Sequence, residues 1–492
     1  MASRSGRIDA VLASRPRRVA AALAVSALVH LPALLTTRPI NVDEAYIAIM
    51  GRMQLSGDEL YRTLVDRKPP LMLWAYRVMV SSSWSLWWVH LALVVLVATN
   101  GLVIAAIAQR LGADRNTAAL AATLAIVGTA MFGPPDAHAS NFELWGLVPA
   151  SVAVLCALRA DATRTWWCWS LAAGLFVGLA TNTKQPYVFT FAVIVVALPR
   201  ARRILATVLA GSALVAVTAF LAGATDWSGY WRWVWLGNGD YVKVGIGATL
   251  LLALRQVGIF ALLQLPIVAA AWGLRRTAAR RAVLVCSVWA LSAGVGVVSG
   301  LRFFGHYFQQ VVPPLALAAA FGVAAAPKGT WLTARRLLVA CGVWTIALWS
   351  LCFVPSLGIQ RAPAALVHGI DASTGRSDRV LVWGRLPDAS VAARRLPSGR
   401  FVHHAYLTGL WASGHGDPDP AHDDPFAGRW HDFLDDLHRE PPTLIVDASS
   451  IVDGWHHYPV TSTPLADLVR TCYRSAAAID GLPAWRRTTA CR

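Results

Sequence analysis

Long apolar blocks separated by short polar connections set the pattern of this chain. Blocks of near-spanning length run at 19 to 36, 85 to 108, 116 to 132, 142 to 158, 166 to 182, 186 to 199, 204 to 221, 248 to 273, 282 to 300, 307 to 325 and 337 to 355. A bilayer core takes about 20 apolar residues per helix, so the pattern predicts an α-helical polytopic membrane protein of about eleven transmembrane helices. The 186 to 199 block is short and opens at Pro186, which predicts a tilted or incomplete crossing. After Leu357 no block of this length remains, and Asp, His, Pro and Arg become frequent. There RVLVWG (379 to 384) and PTLIVDA (442 to 448) read as short buried strands, with a helix over Trp430 to Arg439 between them. The expected organisation is a transmembrane domain over 1–357, with a long first loop at 37–84, and a small soluble α/β domain over 358–492.

Composition agrees with that class. Apolar residues make up 56% of the 492 and charged residues 14%, with a mean hydropathy of +0.49, beyond what a soluble globular chain carries. The net charge of +17 would suggest nucleic acid in a soluble protein. Here the basic residues cluster in alternate connections, so no nucleic-acid partner is expected. With the N-terminus inside, the inner segments hold about 19 Lys and Arg over about 55 residues, and the outer ones about 10 over about 90. This asymmetry predicts a multi-pass cell-membrane protein with a cytoplasmic N-terminus and an extracytoplasmic C-terminal domain. The first block lacks a convincing small-x-small cleavage site and further blocks follow it, so a retained helix is expected rather than a signal peptide.

The seven cysteines show no CxxC or Cys/His metal spacing. Cys156, Cys168, Cys286, Cys341 and Cys352 lie in or at the ends of apolar blocks and read as packing residues. Cys472 and Cys491 lie in the polar C-terminal part, where an oxidising compartment would permit a disulfide, although spacing does not establish the pair. GDPDPAHDD at 416 to 424 reads as a solvated turn rather than a metal site.

The densest candidate chemistry lies just after the first block, over Asn41 to Trp74. Asp43 and Glu44 stand side by side, and Asp58, Glu59, Tyr61, Asp66, Arg67, Lys68 and Pro69-Pro70 follow. Ionisable groups at a membrane edge mark a functional site unless they only cap a helix, and Asn41 with two acidic residues also fits a cap. Elsewhere on the expected outer side lie Asp136, Asn141 and Glu143, then Lys184, a Trp-rich loop at 226 to 243, and Arg302 to Tyr307.

These motifs together resemble the GT-C membrane glycosyltransferases. The Asp-Glu pair after the first helix, Gly-Asp-x-Leu-Tyr (57 to 61) and Asp-Arg-Lys-Pro-Pro-Leu-x-x-Trp (66 to 74) are similar to the family's first outer loop. SNFE (140 to 143), GLFVGLATNTKQP (174 to 186), RFFGHYFQQVVPP (302 to 314) and the VLVWG strand extend the likeness over nearly the whole chain. It is strongest at 41 to 74 and 302 to 314, and looks most like the protein O-mannosyltransferase and lipid A aminoarabinose transferase group. The resemblance implies a transferase that passes a sugar from a polyprenyl-phosphate donor in the membrane lipid to an extracytoplasmic glycan, lipid or protein acceptor. No recognisable β-trefoil insert is present, which speaks against a protein acceptor. No cofactor is implied, and a divalent metal is not indicated.

The residue types fit that chemistry. A polyprenyl phosphate already leaves well, so the general acid that glycosidases need is dispensable and one base suffices. Asp43 is the expected base, and its attack from the opposite face gives inversion. General-base assistance contributes about 10²- to 10⁴-fold. Glu44 either orients the acceptor or Asp43, or caps the helix. Lys68, by its match to the family's Lys-Pro, and Arg67 are expected to hold the departing phosphate, where cations stabilise developing charge. Arg302, His306, Tyr307 and Lys184 are further phosphate candidates, with interfacial anchoring or snorkelling as their rival readings. Asp136, Glu143, Asn141 and Tyr61 complete the expected cavity, with Asn141 also read as a helix cap. The Trp-rich loop reads as an interfacial aromatic belt or a sugar-stacking surface. A lipid-linked-sugar transporter or flippase is the rival class, although the paired repeats such proteins carry are not visible in the sequence.

Overall fold

The computed structural model describes residues 15–198, 200–224, 226–237, 246–327, 333–354, 358–359, 361–409, 428–452 and 454–488. The loop at 416 to 424, Tyr241 and Cys491 lie outside the described residues. The chain divides into two compact units. One is drawn from Met1–Leu35, Val89–Ala219 and Gly245–Ile359, the other from Thr36–Trp88, Phe220–Val244 and Gln360–Arg492.

The first unit is helical. Every predicted apolar block carries a helix. Among the described residues six are long and apolar enough to cross a membrane: Trp87–Arg110, Phe142–Ala162, Ala201–Ala222, Arg280–Val298, Gly305–Ala324 and Ala334–Phe353. Thr249–Leu263 and Leu265–Arg276 make a seventh if taken as one span bent by 86°. The bend follows from Pro266, which cannot continue the hydrogen-bond ladder of the preceding helix. Buried Gln264 occupies the break and donates to the carbonyls of Gly128 and Met131, at 2.8 Å each. The remaining blocks carry shorter or less apolar helices, including Arg15–Val29, Arg115–Ala130 and Trp166–Thr183. The Pro186 block opens as a 3₁₀ turn, Gln185–Thr190, before the α-helix Phe191–Ala197. Gly174 and Gly178 pack against Gly211 of Ala201–Ala222, where a Cβ would meet backbone; small residues let apolar helices approach this closely. Three Arg-rich connections expected on the inner side converge on Asp161, which pairs with Arg203 at 3.1 Å and Arg281 at 3.0 Å.

The second unit joins the first loop to the C-terminal α/β region. β1 (Val380–Trp383) and β2 (Leu444–Asp447) pair in parallel, Val380 opposite Leu444. β3 (Tyr473–Ser475) and β4 (Ala484–Arg487), not evident in the sequence, add antiparallel strands in the order β1-β2-β4-β3. The expected helix is observed as Arg429–Arg439. Val380, Val382, Leu444, Val446, Leu366 and Ile370 fill the core. Cys472 is disulfide-bonded.

The compact unit that holds the α/β region also takes in the first loop and the Trp-rich segment. Ion pairs bind these parts: Arg38 to Asp388, Arg379 to Asp58 at 3.3 Å. The backbone N–H of Val65 donates to the carbonyl of Arg400 at 3.2 Å, and Arg400 grips Asp436 at 2.7 and 2.9 Å. The aromatic-belt reading of the Trp-rich loop is corrected at two residues. Tyr230 is buried edge-on to Tyr61, and Trp233 is buried between Phe401, Tyr406 and the guanidinium of Arg429. Trp227, Trp231 and Trp235 are exposed.

Candidate functional site

In the second unit the candidate residues hang on the helix Val42–Leu55. Asn41 caps it, its side-chain oxygen accepting from the N–H of Glu44 at 2.8 Å. The fully buried Glu44 reaches back and accepts from the N–H of Ile40 at 2.7 Å. Asn41 thus satisfies one donor that the helix N-terminus leaves open, and Glu44 ties the residue before the cap to the first turn. Asp43, one position earlier on the first turn, is only half-buried.

One turn further along, Tyr46 is buried and lies flat on His403, ring centroids 4.3 Å apart with 15° between planes. Burial pushes the Tyr46 hydroxyl well above its usual range, with Arg385 opposing and Asp43 adding to the rise. Burial, reinforced by Arg385, Lys68 and Arg67 and opposed by Asp43, holds the His403 ring well below the usual histidine range, so it is neutral. Asp43 and Arg385 therefore act on the same pair of rings. Arg385 and His403 gave no signal in the sequence, because they lie more than 300 positions from Asp43.

The Lys68 segment is held from several sides. Tyr61, in a left-handed backbone conformation (φ 69°), donates its hydroxyl hydrogen to the carbonyl of Lys68 at 2.9 Å. The N–H of Arg67 donates to the Tyr406 hydroxyl at 3.0 Å. The Lys68 ammonium stands 3.5 Å from the buried carboxylate of Asp66, which also accepts from the Lys68 N–H at 2.9 Å. Tyr61 thus acts on Lys68 through its backbone.

In the first unit the remaining candidates form their own cluster. Glu143, buried on the first turn of Phe142–Ala162, is ion-paired to Lys184, and its backbone carbonyl accepts from the Tyr187 hydroxyl at 2.6 Å. The Lys184 ammonium also lies 3.4 Å from the Tyr307 ring centroid, a cation–π contact. Asp136 accepts from His306 Nδ1 at 2.8 Å, and its carbonyl accepts from Gln309 at 2.7 Å. His306, Tyr307 and Gln309 sit on the 3₁₀ turn Gly305–Val311 rather than on a regular helix entering the membrane. Arg302 is buried between Leu301 and Phe303, both left-handed at φ 50°. Asn141 stands at the N-cap position, but its side chain makes no cap hydrogen bond; its amide points to the Asp136 carbonyl at 3.5 Å. Capping by that side chain, expected from the sequence, is thus not what the structure uses. Among the described residues no group of three or more His, Cys, Asp or Glu side chains is placed to hold a metal ion.

Comparison with protein-family models and with curated proteins gives no match. Comparison with solved structures does. ArnT from Cupriavidus metallidurans bound to undecaprenyl phosphate aligns with a TM-score of 0.61 at 15% identity, over 97% of this chain and 99% of that one. The Archaeoglobus fulgidus oligosaccharyltransferase, in complex with Zn and sulfate, aligns at 0.51 and 12% identity over 96% of this chain and 73% of its own. Arabinofuranosyltransferase AftD from Mycobacteria aligns at 0.52 and 14% over 96% of this chain but 42% of its own. The chain has the GT-C fold that these structures share.

Proposed function

We propose that this protein is a membrane glycosyltransferase that transfers a hexosyl or pentosyl group from a polyprenyl-phosphate donor to an extracytoplasmic glycan, lipid or protein acceptor, with inversion. The observation that supports it most is the end-to-end likeness of fold to ArnT, whose structure holds undecaprenyl phosphate. The reading takes the chain to cross the membrane about eleven times, counting the bent pair once and adding the four shorter helical blocks. It sets the N-terminus inside and the α/β region outside, in keeping with the basic inner connections and the disulfide at Cys472.

In this reading Asp43 is the general base. It sits half-exposed on a capped first turn, and Glu44 positions it by anchoring that turn. Lys68 and Arg67 bind the donor phosphate, with Tyr61 fixing the Lys68 backbone. Lys184, Arg302, His306 and Tyr307 are further phosphate contacts, with Glu143, Asp136 and Asn141 holding them. As the sugar–phosphate bond breaks, the electron pair stays on the phosphate oxygen, and the acceptor hydroxyl proton passes to the Asp43 carboxylate.

The test is transfer from a panel of radiolabelled polyprenyl-phosphate sugars to mixed cell-envelope acceptors by the purified protein and its Asp43→Asn variant. Label moving to an acceptor only with the intact protein supports the reading. Transfer retained by Asp43→Asn removes Asp43 as base, and a protein that binds no polyprenyl phosphate points instead to a transporter.

A further inference from the structure

Arg385 is a cation near the first-loop helix that the reading above leaves without a task. It lies two residues past the end of β1, after Gly384, whose left-handed backbone (φ 126°) turns the chain out of the sheet. That places it beyond the carboxyl ends of the parallel strands β1 and β2, where sheets of this kind commonly bind ligands. The helix that follows, Pro387–Ala393, packs on Val42–Leu55 and so carries Arg385 to the first loop.

The Arg385 side chain makes no hydrogen bond or ion pair among the described residues, although its Nε is buried. The Tyr46 hydroxyl is likewise buried with no hydrogen-bond partner among the described residues. Buried polar atoms such as the Arg385 Nε and the Tyr46 hydroxyl are ordinarily satisfied. Both groups act here as hydrogen-bond donors, and Arg385 bears electrostatically on Tyr46 and on the His403 ring, as Asp43 does. Two unmet donors, one of them cationic, complement an oxyanion.

We propose that Arg385 and Tyr46 form a subsite for an anionic group, a phosphate or carboxylate, carried by the sugar acceptor. The inference rests on the transferase reading. In an in-line displacement the leaving phosphate departs on the face away from the base; Tyr46 stands one turn from Asp43 on the same helix and Arg385 bears on its ring, so this pair is assigned to the nucleophile's side. Neutral His403, stacked on Tyr46, holds that phenol in place.

The full-length protein in lipid nanodiscs tests this by thermal stabilisation with three probes: glucose 6-phosphate, glucose at matched ionic strength, and undecaprenyl phosphate. Glucose 6-phosphate is expected to stabilise the native protein where glucose does not. Arg385→Gln is expected to weaken that effect about tenfold or more in concentration while leaving the undecaprenyl phosphate effect intact. Arg385→Lys, which keeps the charge and guards against a folding defect, is expected to retain part of it. No stabilisation by glucose 6-phosphate beyond glucose overturns the subsite while the transferase reading stands. Loss of the undecaprenyl phosphate effect in Arg385→Gln assigns the anion to the donor and overturns the acceptor assignment. Native protein stabilised by glucose 6-phosphate but not by undecaprenyl phosphate overturns the transferase reading, and the acceptor assignment with it.

Discussion

The imidazole of His403 lies flat on the phenol of Tyr46, 4.3 Å between centroids, and so ties the α/β region to the helix that bears Asp43. The contact is apolar in character: a neutral ring on a ring whose hydroxyl meets no partner among the described residues. Tyr46→Phe is therefore expected to leave the melting temperature unchanged or raised, since it removes a buried hydroxyl without breaking a hydrogen bond. Tyr46→Ala is expected to cost about 3 kcal/mol, from lost burial and stacking. A fall in stability for Tyr46→Phe comparable to that for Tyr46→Ala would show that the hydroxyl has a partner.

Asp43 and Glu44 are adjacent in the chain and separable by experiment. Glu44→Gln keeps an oxygen that accepts from Ile40, so stability and most of the turnover are expected to survive. Glu44→Ala is expected to lose about 1 kcal/mol of stability with the cap. Asp43→Asn is expected to fold normally and lose about 10²- to 10⁴-fold in transfer rate. Equal rate losses for Asp43→Asn and Glu44→Gln would make Glu44 a direct participant.

Lys184 and Glu143 form a largely buried ion pair beside the Tyr307 ring. Removing either partner strands the other charge, at a cost of about 3–5 kcal/mol. Lys184→Met and Glu143→Gln are each expected to destabilise strongly, and the double variant less than the sum of the two. Additive losses in that double-mutant cycle would mean that the two charges do not depend on each other.

The α/β region is expected to lose stability in mild acid. His404 is buried against Trp383 and donates from Nδ1 to the Gly384 carbonyl at 3.0 Å. Burial pulls its ring down to about 4, against an ordinary value of 6.5, and His403 is lowered in the same direction. A depressed folded-state value means that the unfolded chain takes up the proton first. Stability is then full above about pH 6.5 and falls as pH drops toward 4, by up to about 1.4 kcal/mol per pH unit for such a histidine. His404→Gln is expected to flatten the fall in a pH series of chemical-denaturation curves followed by tryptophan fluorescence, and an unchanged slope would place the proton uptake elsewhere.

The sequence by itself determined the helical membrane class, the strands β1 and β2 and the helix between them. It also marked the loop that carries Asp43, Tyr61 and Lys68. These are local properties: block length, apolar periodicity, and charges set beside apolar runs. The capping role of Asn41 was legible for the same reason, since a cap reaches only three residues. Only the tertiary structure decided what lies far apart in the chain. It brought Arg385 and His403 to the first loop, buried Tyr230 and Trp233 against it, paired Lys184 with Glu143, and joined His306 to Asp136. No spacing rule encodes such partners, because they are chosen by how helices and strands pack, and packing depends on all the faces that meet at once.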